Sequence, residues 1–368
     1  MRWFNLLILV TLGLLLSVLP ALAAVSGNCV NCHTIHNSQN GQPMTFNASG
    51  PMPTLLRANC VGCHTNSSTA DTIVMLGDSR LPIVYNTIEP DYPPTGTNSS
   101  ALAGGNFYWV AEQGDEFGHN VFGISGTDSK LTKAPGGGFE GSCAKCHNTL
   151  ASAEAGSGCE GCHLPQHHKN DGQAGPAGQE DGWYRFLGSA MARDLNDIAP
   201  GDQPGVMGLE DPNWEQDPSS TQHNVYKGTD VIYSEAFYAN HNSIGEFCQG
   251  CHYDFHRLMN TNCADLSGAW IRHPSDVILP DDAALEYVGY TTYNPLAPVA
   301  KQTLSDTPSD AVVAGEDVVT CISCHRPHGS PYPDMLRWDY LNDCTASVPD
   351  SNANPCGCFA CHTTKDGI

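Results

Sequence analysis

The pattern Cys-x-x-Cys-His occurs seven times in this chain and uses fourteen of its seventeen cysteines. In c-type haem proteins, the two cysteines form thioethers to the porphyrin edge and the adjoining histidine becomes the proximal iron ligand. Zinc knuckles and redox dithiols also contain Cys-x-x-Cys, but neither needs a histidine directly after the second cysteine. The sequence therefore predicts a multihaem cytochrome with seven covalently attached haem c groups.

Fourteen cysteines and seven histidines carry this prediction. The predicted attachment residues are Cys29, Cys32, Cys60, Cys63, Cys143, Cys146, Cys159, Cys162, Cys248, Cys251, Cys321, Cys324, Cys358 and Cys361. The predicted proximal iron ligands are His33, His64, His147, His163, His252, His325 and His362.

Nine of the sixteen histidines lie outside the motifs. Seven irons need seven distal ligands, so the surplus favours bis-histidine ligation at every haem; methionine, which also packs well against porphyrin, is the alternative ligand. His223 is preferred over His241 because His223-Asn224-Val225 repeats His119-Asn120-Val121. The predicted distal ligands are His36, His119, His223, His256, His273, His328 and either His167 or its neighbour His168.

Some distal candidates follow a proximal histidine too closely to bind the same iron. His36 comes three residues after His33, about one helical turn, and the backbone cannot pass around a porphyrin within that length. His328 repeats the arrangement after His325. Each such histidine must serve a different haem, which predicts close neighbouring haems and a continuous electron path.

The N-terminal residues predict export. Arg2 precedes an apolar run from Phe4 to Leu19, and a small-residue cleavage site ends at Ala23. Residues 1–23 are therefore predicted to be a secretory signal peptide, with an uncleaved membrane anchor as the alternative. No later stretch is apolar and long enough for a transmembrane segment, so the mature protein is expected to be exported and soluble, at the cell surface or, alternatively, in the periplasm.

Composition predicts how the mature chain folds. Gly and Pro are abundant, at 37 and 25 residues, and few segments keep a helical or alternating period. We expect a mostly irregular, coil-rich fold with short α and 3-10 helices around the motifs, minimal β structure and the haem array as the core. The long spacers contain isolated histidines that would return to haems attached elsewhere, so residues 24–368 are predicted to form one multihaem domain.

Charge and the remaining cysteines add two further expectations. A formal charge of −23 excludes nucleic acid as a natural partner and suits solubility or basic redox partners. Cys263, Cys344 and Cys356 lie outside the motifs, and in an oxidising compartment an odd number leaves one thiol unpaired within the chain. Cys344 and Cys356 flank a short loop and are the favoured disulfide.

Several short segments, in the same order along the chain, resemble the filament-forming outer-surface multihaem cytochromes of the OmcS type. The last of these segments is also typical of the broader doubled-CxxCH family. The matching segments are 29–38, Gly118–Val121, 131–137, Trp183–Gly188, Glu246–Cys248, Arg272–Pro274 and Cys321–His328.

The resemblance implies an electron-transfer protein that polymerises head to tail outside the cell. It implies that His36 ligates a haem of the next subunit, namely the one attached at Cys321 and Cys324. That family has six haems, whereas this chain has seven motifs; the extra one falls in the closely spaced pair that begins at Cys143 and Cys159.

Two other functions compete with a filament. A soluble periplasmic electron shuttle would use the same haems without polymerising. A multihaem reductase would need an open distal site, often marked by a lysine in place of the motif histidine, and all seven motifs end in histidine. We therefore expect an electron carrier rather than an enzyme, with other redox proteins or extracellular acceptors as partners.

Overall fold

The computed structural model describes eleven stretches of the chain. The predicted signal peptide, the third motif (Cys143–His147) and the residues His241, His256 and Cys263 lie outside them. The described residues are 27–46, 50–131, 134–135, 150–153, 157–168, 175–178, 182–188, 205–230, 242–252, 273–344 and 355–364.

The α-helices in these stretches are four to six residues long, and five of the six contain an attachment cysteine. They are α1 (Cys29–Cys32), α2 (Cys60–Cys63), α3 (Tyr108–Glu112), α4 (Ile244–Gln249), α5 (Cys321–Cys324) and α6 (Cys358–Cys361). Single 3-10 turns occur at Pro53–Leu55, Asp115–Phe117, Gly158–Gly161, Tyr184–Phe186, Glu286–Gly289 and Pro333–Met335, and a π turn at Tyr340–Cys344. Within the described part of the chain, no helix has the length and apolar character needed to cross a membrane.

The β structure consists of strands of two to four residues. One antiparallel sheet has three strands in the order β10-β11-β9, and the remaining strands pair as β1-β2, β4-β5, β7-β8 and the parallel pair β3-β6. The strands are β1 (Ser38–Gln39), β2 (Gln42–Pro43), β3 (Thr65–Asn66), β4 (Ile73–Leu76), β5 (Ser79–Pro82), β6 (Tyr85–Asn86), β7 (Gly208–Leu209), β8 (Val225–Tyr226), β9 (Val277–Ile278), β10 (Ala300–Lys301) and β11 (Asp317–Val319).

Helices of one turn are unstable alone, because nucleation is not repaid by further turns. Local caps stabilise two of them. The Asn59 side chain accepts a hydrogen bond from the Gly62 amide at 2.8 Å, and Ser243 forms a reciprocal capping box with Glu246 at the start of α4. The structure is coil-rich, as composition and motif spacing predicted.

Buried apolar side chains form several small clusters in the described stretches instead of one large core. The largest contains seven buried residues, among them Tyr226 and Val318. The others have attachment cysteines at their edges: Cys361 beside the Tyr290 cluster, and Cys324 and Cys358 beside the Trp338 cluster. The clusters surround the attachment motifs, as expected where haem supplies much of the buried apolar surface.

Two glycines meet where the segment before α3 crosses the loop after α5. Gly105 has φ +85°, and a Cβ there would lie 1.8 Å from the Gly329 carbonyl oxygen. Gly41 also has positive φ, at +72°, but a Cβ there would meet nothing within 4 Å. Comparing Gly105 with Gly41 therefore separates the cost of the positive φ, which both share, from the cost of the steric clash, which only Gly105 would have.

We predict that Gly105→Ala lowers the free energy of unfolding by more than about 3 kcal/mol, because left-handed strain and a backbone clash add. Gly41→Ala, which has the strain alone, should cost about 1–2 kcal/mol. Guanidinium titration followed by far-UV circular dichroism measures both. Equal losses would contradict the close approach of Gly105 to Gly329.

Candidate haem centres

Each described motif folds into a single helical turn that sets the positions of its three haem-binding residues. In all six, the amide of the motif histidine donates to the carbonyl of the first cysteine at 2.8–3.0 Å, as from His33 to Cys29 and from His325 to Cys321. This i to i−4 bond brings the cysteines and the histidine to neighbouring positions on one turn. The Cys-x-x-Cys-His spacing thus builds a compact three-point attachment.

The second ring nitrogen of each described proximal histidine is also held. Nδ1 lies 2.7–3.0 Å from a backbone carbonyl in five of them, and in His362 it lies 2.5 Å from the Glu286 carboxylate. These oxygens can only accept, so Nδ1 carries the proton and Nε2 presents its lone pair. The acceptors are Thr54, Pro82, Arg185, Pro135, Asp334 and Glu286 for His33, His64, His163, His252, His325 and His362.

Three of these acceptors lie in three separate tight turns of one kind, which were not predicted from the sequence. In each turn two successive non-glycine residues have positive φ, and the following leucine bridges back to the motif histidine. The repeated Pro53-Thr54-Leu55-Leu56-Arg57 and Pro333-Asp334-Met335-Leu336-Arg337 segments were the available signal. The turns are Thr54–Leu55 with Leu56, Arg185–Phe186 with Leu187, and Asp334–Met335 with Leu336.

Five described proximal histidines face a second imidazole at nearly the same distance. The ring centroids are 6.1–6.4 Å apart. Two imidazoles bound to opposite sides of one metal, each at about 2 Å, have centroids a little over 6 Å apart. The facing pairs are His33–His168, His64–His167, His252–His119, His163–His328 and His362–His273.

This spacing is wider than a close ring stack and equals that of two imidazoles with one metal atom between them. His223 shows the contrast, because its ring stacks on Tyr293 with centroids only 3.5 Å apart. In the facing pairs, the gap matches one iron atom between two Nε2 donors, and the cysteines lie on the adjoining turn. The donor set and geometry fit covalently attached haem c with two axial histidines.

Four predicted distal ligands, His119, His167, His273 and His328, occupy positions opposite a proximal histidine. The expectation that only one of His167 and His168 would be used needs correction, because His168 faces His33 while His167 faces His64. The two adjacent residues therefore reach two neighbouring centres.

The surroundings of His223 differ from those of the four predicted distal ligands that face a described proximal ring. The side chain is 1% exposed, its Nδ1 lies 3.1 Å from the Ser219 carbonyl, and its buried Nε2 has no hydrogen-bond partner among the described residues. No described proximal ring faces it. The His-Asn-Val repeat is accounted for by Asn224, whose Oδ1 accepts from the Asp211 amide at 2.8 Å and from Arg185 at 2.9 Å.

His36 and His325 are left without a facing imidazole among the described residues. His36 is exposed, and its neighbour Ile35 is 91% exposed. His325 has its Nδ1 fixed by the Asp334 carbonyl at 2.7 Å, as in the paired centres. His36 is thus an exposed imidazole that could bind iron. His325 is a proximal ligand that has its Nδ1 fixed but faces no second imidazole among the described residues.

Burial favours the neutral form of two distal imidazoles, those of His119 and His328. Desolvation lowers the pKa of His119 to about 4, with a contribution from His252, and lowers the pKa of His328 to about 3, with a contribution from His163. Only the neutral ring offers a lone pair to iron. Burial also raises the pKa of free Cys162 to about 11 and of free Cys324 to about 12, so these sites suit an uncharged thioether.

Attachment cysteines of successive described motifs lie near one another, which orders the centres in space. The Cys60 thiol lies close enough to Cys159 to lower the pKa of Cys60, and the Cys248 thiol lies close enough to Cys321 that the pKa of Cys248 is raised. Three further pairs interact electrostatically: Cys32 with Cys63, Cys162 with Cys248, and Cys324 with Cys358. The six described motifs therefore follow each other in space in the order in which they occur in the chain.

The favoured disulfide is confirmed. Cys344 and Cys356 are bonded, with a Cα–Cα distance of 5.0 Å. The bond closes the segment between the π turn at Tyr340–Cys344 and α6, next to the last attachment motif.

Comparisons with known proteins agree with this geometry. The family described as doubled CXXCH motif matches residues 311–367. The chain is 25% identical to the C-type cytochrome OmcS of Geobacter sulfurreducens, an alignment that covers 93% of this chain and 86% of OmcS. The resemblance found from the sequence motifs is thereby confirmed.

A solved filament structure shows the same fold. The chain resembles the outer membrane cytochrome S filament from Geobacter sulfurreducens with a TM-score of 0.52 and 21% identity, over 90% of this chain and 88% of that one. It also resembles the OmcS nanowires from the same organism, with a TM-score of 0.49 and 18% identity, over 93% of this chain and 95% of that one. The motifs and the relatives together support covalently bound haem c.

We predict that His167→Ala and His168→Ala each leave one haem five-coordinate, and that the double variant leaves two. Carbon monoxide binding to the reduced protein should therefore rise by one, one and two equivalents over wild type. His223→Ala should add none, because His223 packs on Tyr293. One added equivalent in the double variant would contradict the separate assignment of the two histidines, and binding by His223→Ala would restore His223 as a ligand.

Proposed function

We propose that this protein is an exported c-type cytochrome that carries electrons along seven bis-histidine haems and polymerises head to tail into an extracellular filament. The proposal rests on two unpaired histidines among the described residues. His36 is exposed, and His325 has its Nδ1 fixed by a hydrogen bond, as in the paired centres. In the part of the chain that the structure describes, His36 faces no proximal ring and His325 faces no second imidazole. A bond from His36 to the His325 haem of the next subunit would satisfy both.

A structural repeat within the chain supports this pairing. The segments 29–64 and 321–362 each contain an attachment turn, a histidine three residues after the motif, a positive-φ turn and a second attachment turn. In the second copy that histidine, His328, is held inside the chain and faces His163. His36 is its counterpart in the first copy, so the same function would place it against a haem of another subunit.

The geometry also favours a junction that propagates. His36 and His325 belong to opposite parts of the row of described motifs, the first and the sixth in chain order. A contact between two different surfaces continues from subunit to subunit unless its rotation closes a ring. An iron–imidazole bond at this contact would make assembly and electrical continuity one event.

Electron transfer suits the described centres better than catalysis. In five of the six centres, a second imidazole faces the proximal one, so that both axial positions of the iron would be filled. In the sixth, His36 of the next subunit would fill the distal position. Substrate reduction needs an open iron position, which this arrangement does not provide. Redox proteins and extracellular electron acceptors are the expected partners, and the predicted signal peptide at residues 1–23 is the expected export signal.

We predict that His36→Ala yields unpolymerised subunits, each with one five-coordinate haem at His325, because the distal ligand would be lost at every junction. Electron microscopy and analytical ultracentrifugation measure assembly, and carbon monoxide titration of the reduced protein measures the open site. Ser38→Ala, an exposed substitution two residues away, should still form filaments. Added imidazole should restore the low-spin spectrum of His36→Ala without restoring filaments.

Two results would contradict the junction. Filaments of His36→Ala with every haem low-spin would show that another group completes the His325 haem. Monomeric wild-type protein with His36 bound internally would favour the soluble shuttle instead.

A further inference from the structure

The last described centre differs from the others in the partner of its proximal histidine. His362 Nδ1 lies 2.5 Å from the Glu286 carboxylate, whereas the other five described proximal rings donate to backbone carbonyls. The Glu286 side chain is only 12% exposed and starts the 3-10 turn Glu286–Gly289. Tyr287 packs edge-on against His362 at 5.3 Å.

A carboxylate acts on the ring more strongly than a carbonyl does. It carries a full negative charge, and charge-assisted hydrogen bonds are roughly twice as strong as neutral ones. Drawing the Nδ1 proton toward Glu286 increases electron density at Nε2 and makes the imidazole a stronger donor to iron. A stronger donor and a nearby negative charge both stabilise ferric over ferrous iron.

We infer that Glu286 lowers the reduction potential of the haem at Cys358 and Cys361 relative to the value that a carbonyl partner would give. The inference rests on the proposed haem ligation. Cys358 is a neighbour of Cys324, so this haem adjoins the one at which His36 would bind. A centre of lowered potential passes its electron energetically downhill to that neighbour, which suits it for electron entry beside the subunit junction.

Glu286→Gln tests this inference, because it keeps the side-chain shape and an amide oxygen but removes the charge. In a spectroelectrochemical titration of the haem-loaded protein, the ferric–ferrous equilibrium of one haem should shift toward ferrous by about tenfold or more, which is 59 mV for one electron. Glu316→Gln removes an exposed charge from the same part of the chain and should leave the potentials within experimental scatter.

The outcomes separate the inference from the proposed function. A shift of one potential with all haems low-spin supports the inference. Unchanged potentials in a low-spin protein overturn it and leave the ligation intact. Wild-type protein whose 355–364 peptide carries no haem by mass spectrometry would overturn the haem assignment itself.

A separate observation concerns how the same haem becomes attached. The sulfur atoms of Cys344, Cys356 and Cys358 lie within 4.8 Å of one another, and the first two form the disulfide. Cys356 is 1% exposed beside Trp338. A Cβ on the intervening Gly357 would lie 2.2 Å from the Trp338 ring, so the two cysteines are held close by a turn that needs glycine.

We propose that the Cys344–Cys356 disulfide keeps the Cys358 thiol free for haem attachment. Two thiols form a disulfide by giving two electrons and two protons to a disulfide oxidant of the exported compartment, which becomes a dithiol. Attachment instead adds the Cys358 S–H across a porphyrin vinyl group, with sulfur on one carbon, hydrogen on the other and nothing released. A disulfide to Cys358 removes the S–H that this addition requires.

Removing Cys344 should therefore block attachment at Cys358. In Cys344→Ser, Cys356 is left to pair with Cys358, so the peptide containing residues 355–364 should carry a disulfide and lack the Cys358 thioether, with Cys361 as the remaining haem attachment. Cys344→Ser/Cys356→Ser has no competing thiol at this place and should regain the Cys358 thioether. Peptide mass spectrometry measures both.

Two results would overturn this proposal. Full haem occupancy at Cys358 in Cys344→Ser would show that the Cys358 thiol stays free without the Cys344–Cys356 disulfide. Loss of the Cys358 thioether in Cys344→Ser/Cys356→Ser as well would show that the disulfide supports attachment only by holding the local structure in place.

Discussion

The structure is organised around pairs of histidine rings whose spacing suits one iron atom between them, which is the haem ligation proposed above. Five pairs of histidine rings stand 6.1–6.4 Å apart, with their proximal members fixed by hydrogen bonds at Nδ1. The helices are too short to be stable by themselves, and the apolar clusters are small. Chain segments distant in sequence, such as those holding His163 and His328, are brought together at these centres. The proposed ligation of haem would therefore stabilise the fold where other domains rely on one continuous apolar core.

The proposed axial ligation would both hold the fold together and keep neighbouring haems close enough for electron transfer. A distal histidine usually lies far along the chain from the proximal histidine it faces, so each ligation crosses between segments and holds neighbouring centres together. His167 and His168 show this most directly, because adjacent residues reach two different centres. In the proposed filament, His36 would make the same kind of connection between two subunits that the other distal histidines make between segments of one subunit.

Much of the site could be predicted because the motif is local. The Cys-x-x-Cys-His spacing specifies its own helical turn, and the shortness of the segment to His36 rules out its own haem. The Cys344–Cys356 bond could also be predicted, since only a short loop separates the two residues. The coil-rich fold followed from composition and from the expected haem burial.

Partner choice at the centres could not be predicted, because it depends on long-range packing. His223 repeats the context of His119, yet Tyr293 covers its ring, while His168 faces His33 without any distinguishing local sequence. The positive-φ turns at Thr54 and Asp334 were present as a repeated sequence, but their role as histidine acceptors needs the folded geometry. Glu286 lies 76 residues from His362, and no local pattern links them.

The central claim is that axial histidine ligation both builds the subunit and joins it to the next. A cryo-EM reconstruction of the assembled protein at side-chain resolution tests it most directly. We predict iron density between the two rings of each of the five facing pairs, and continuous density from His36 to the iron at His325 of the next subunit. Filaments in which His36 is free and an internal side chain binds the His325 haem would contradict the account.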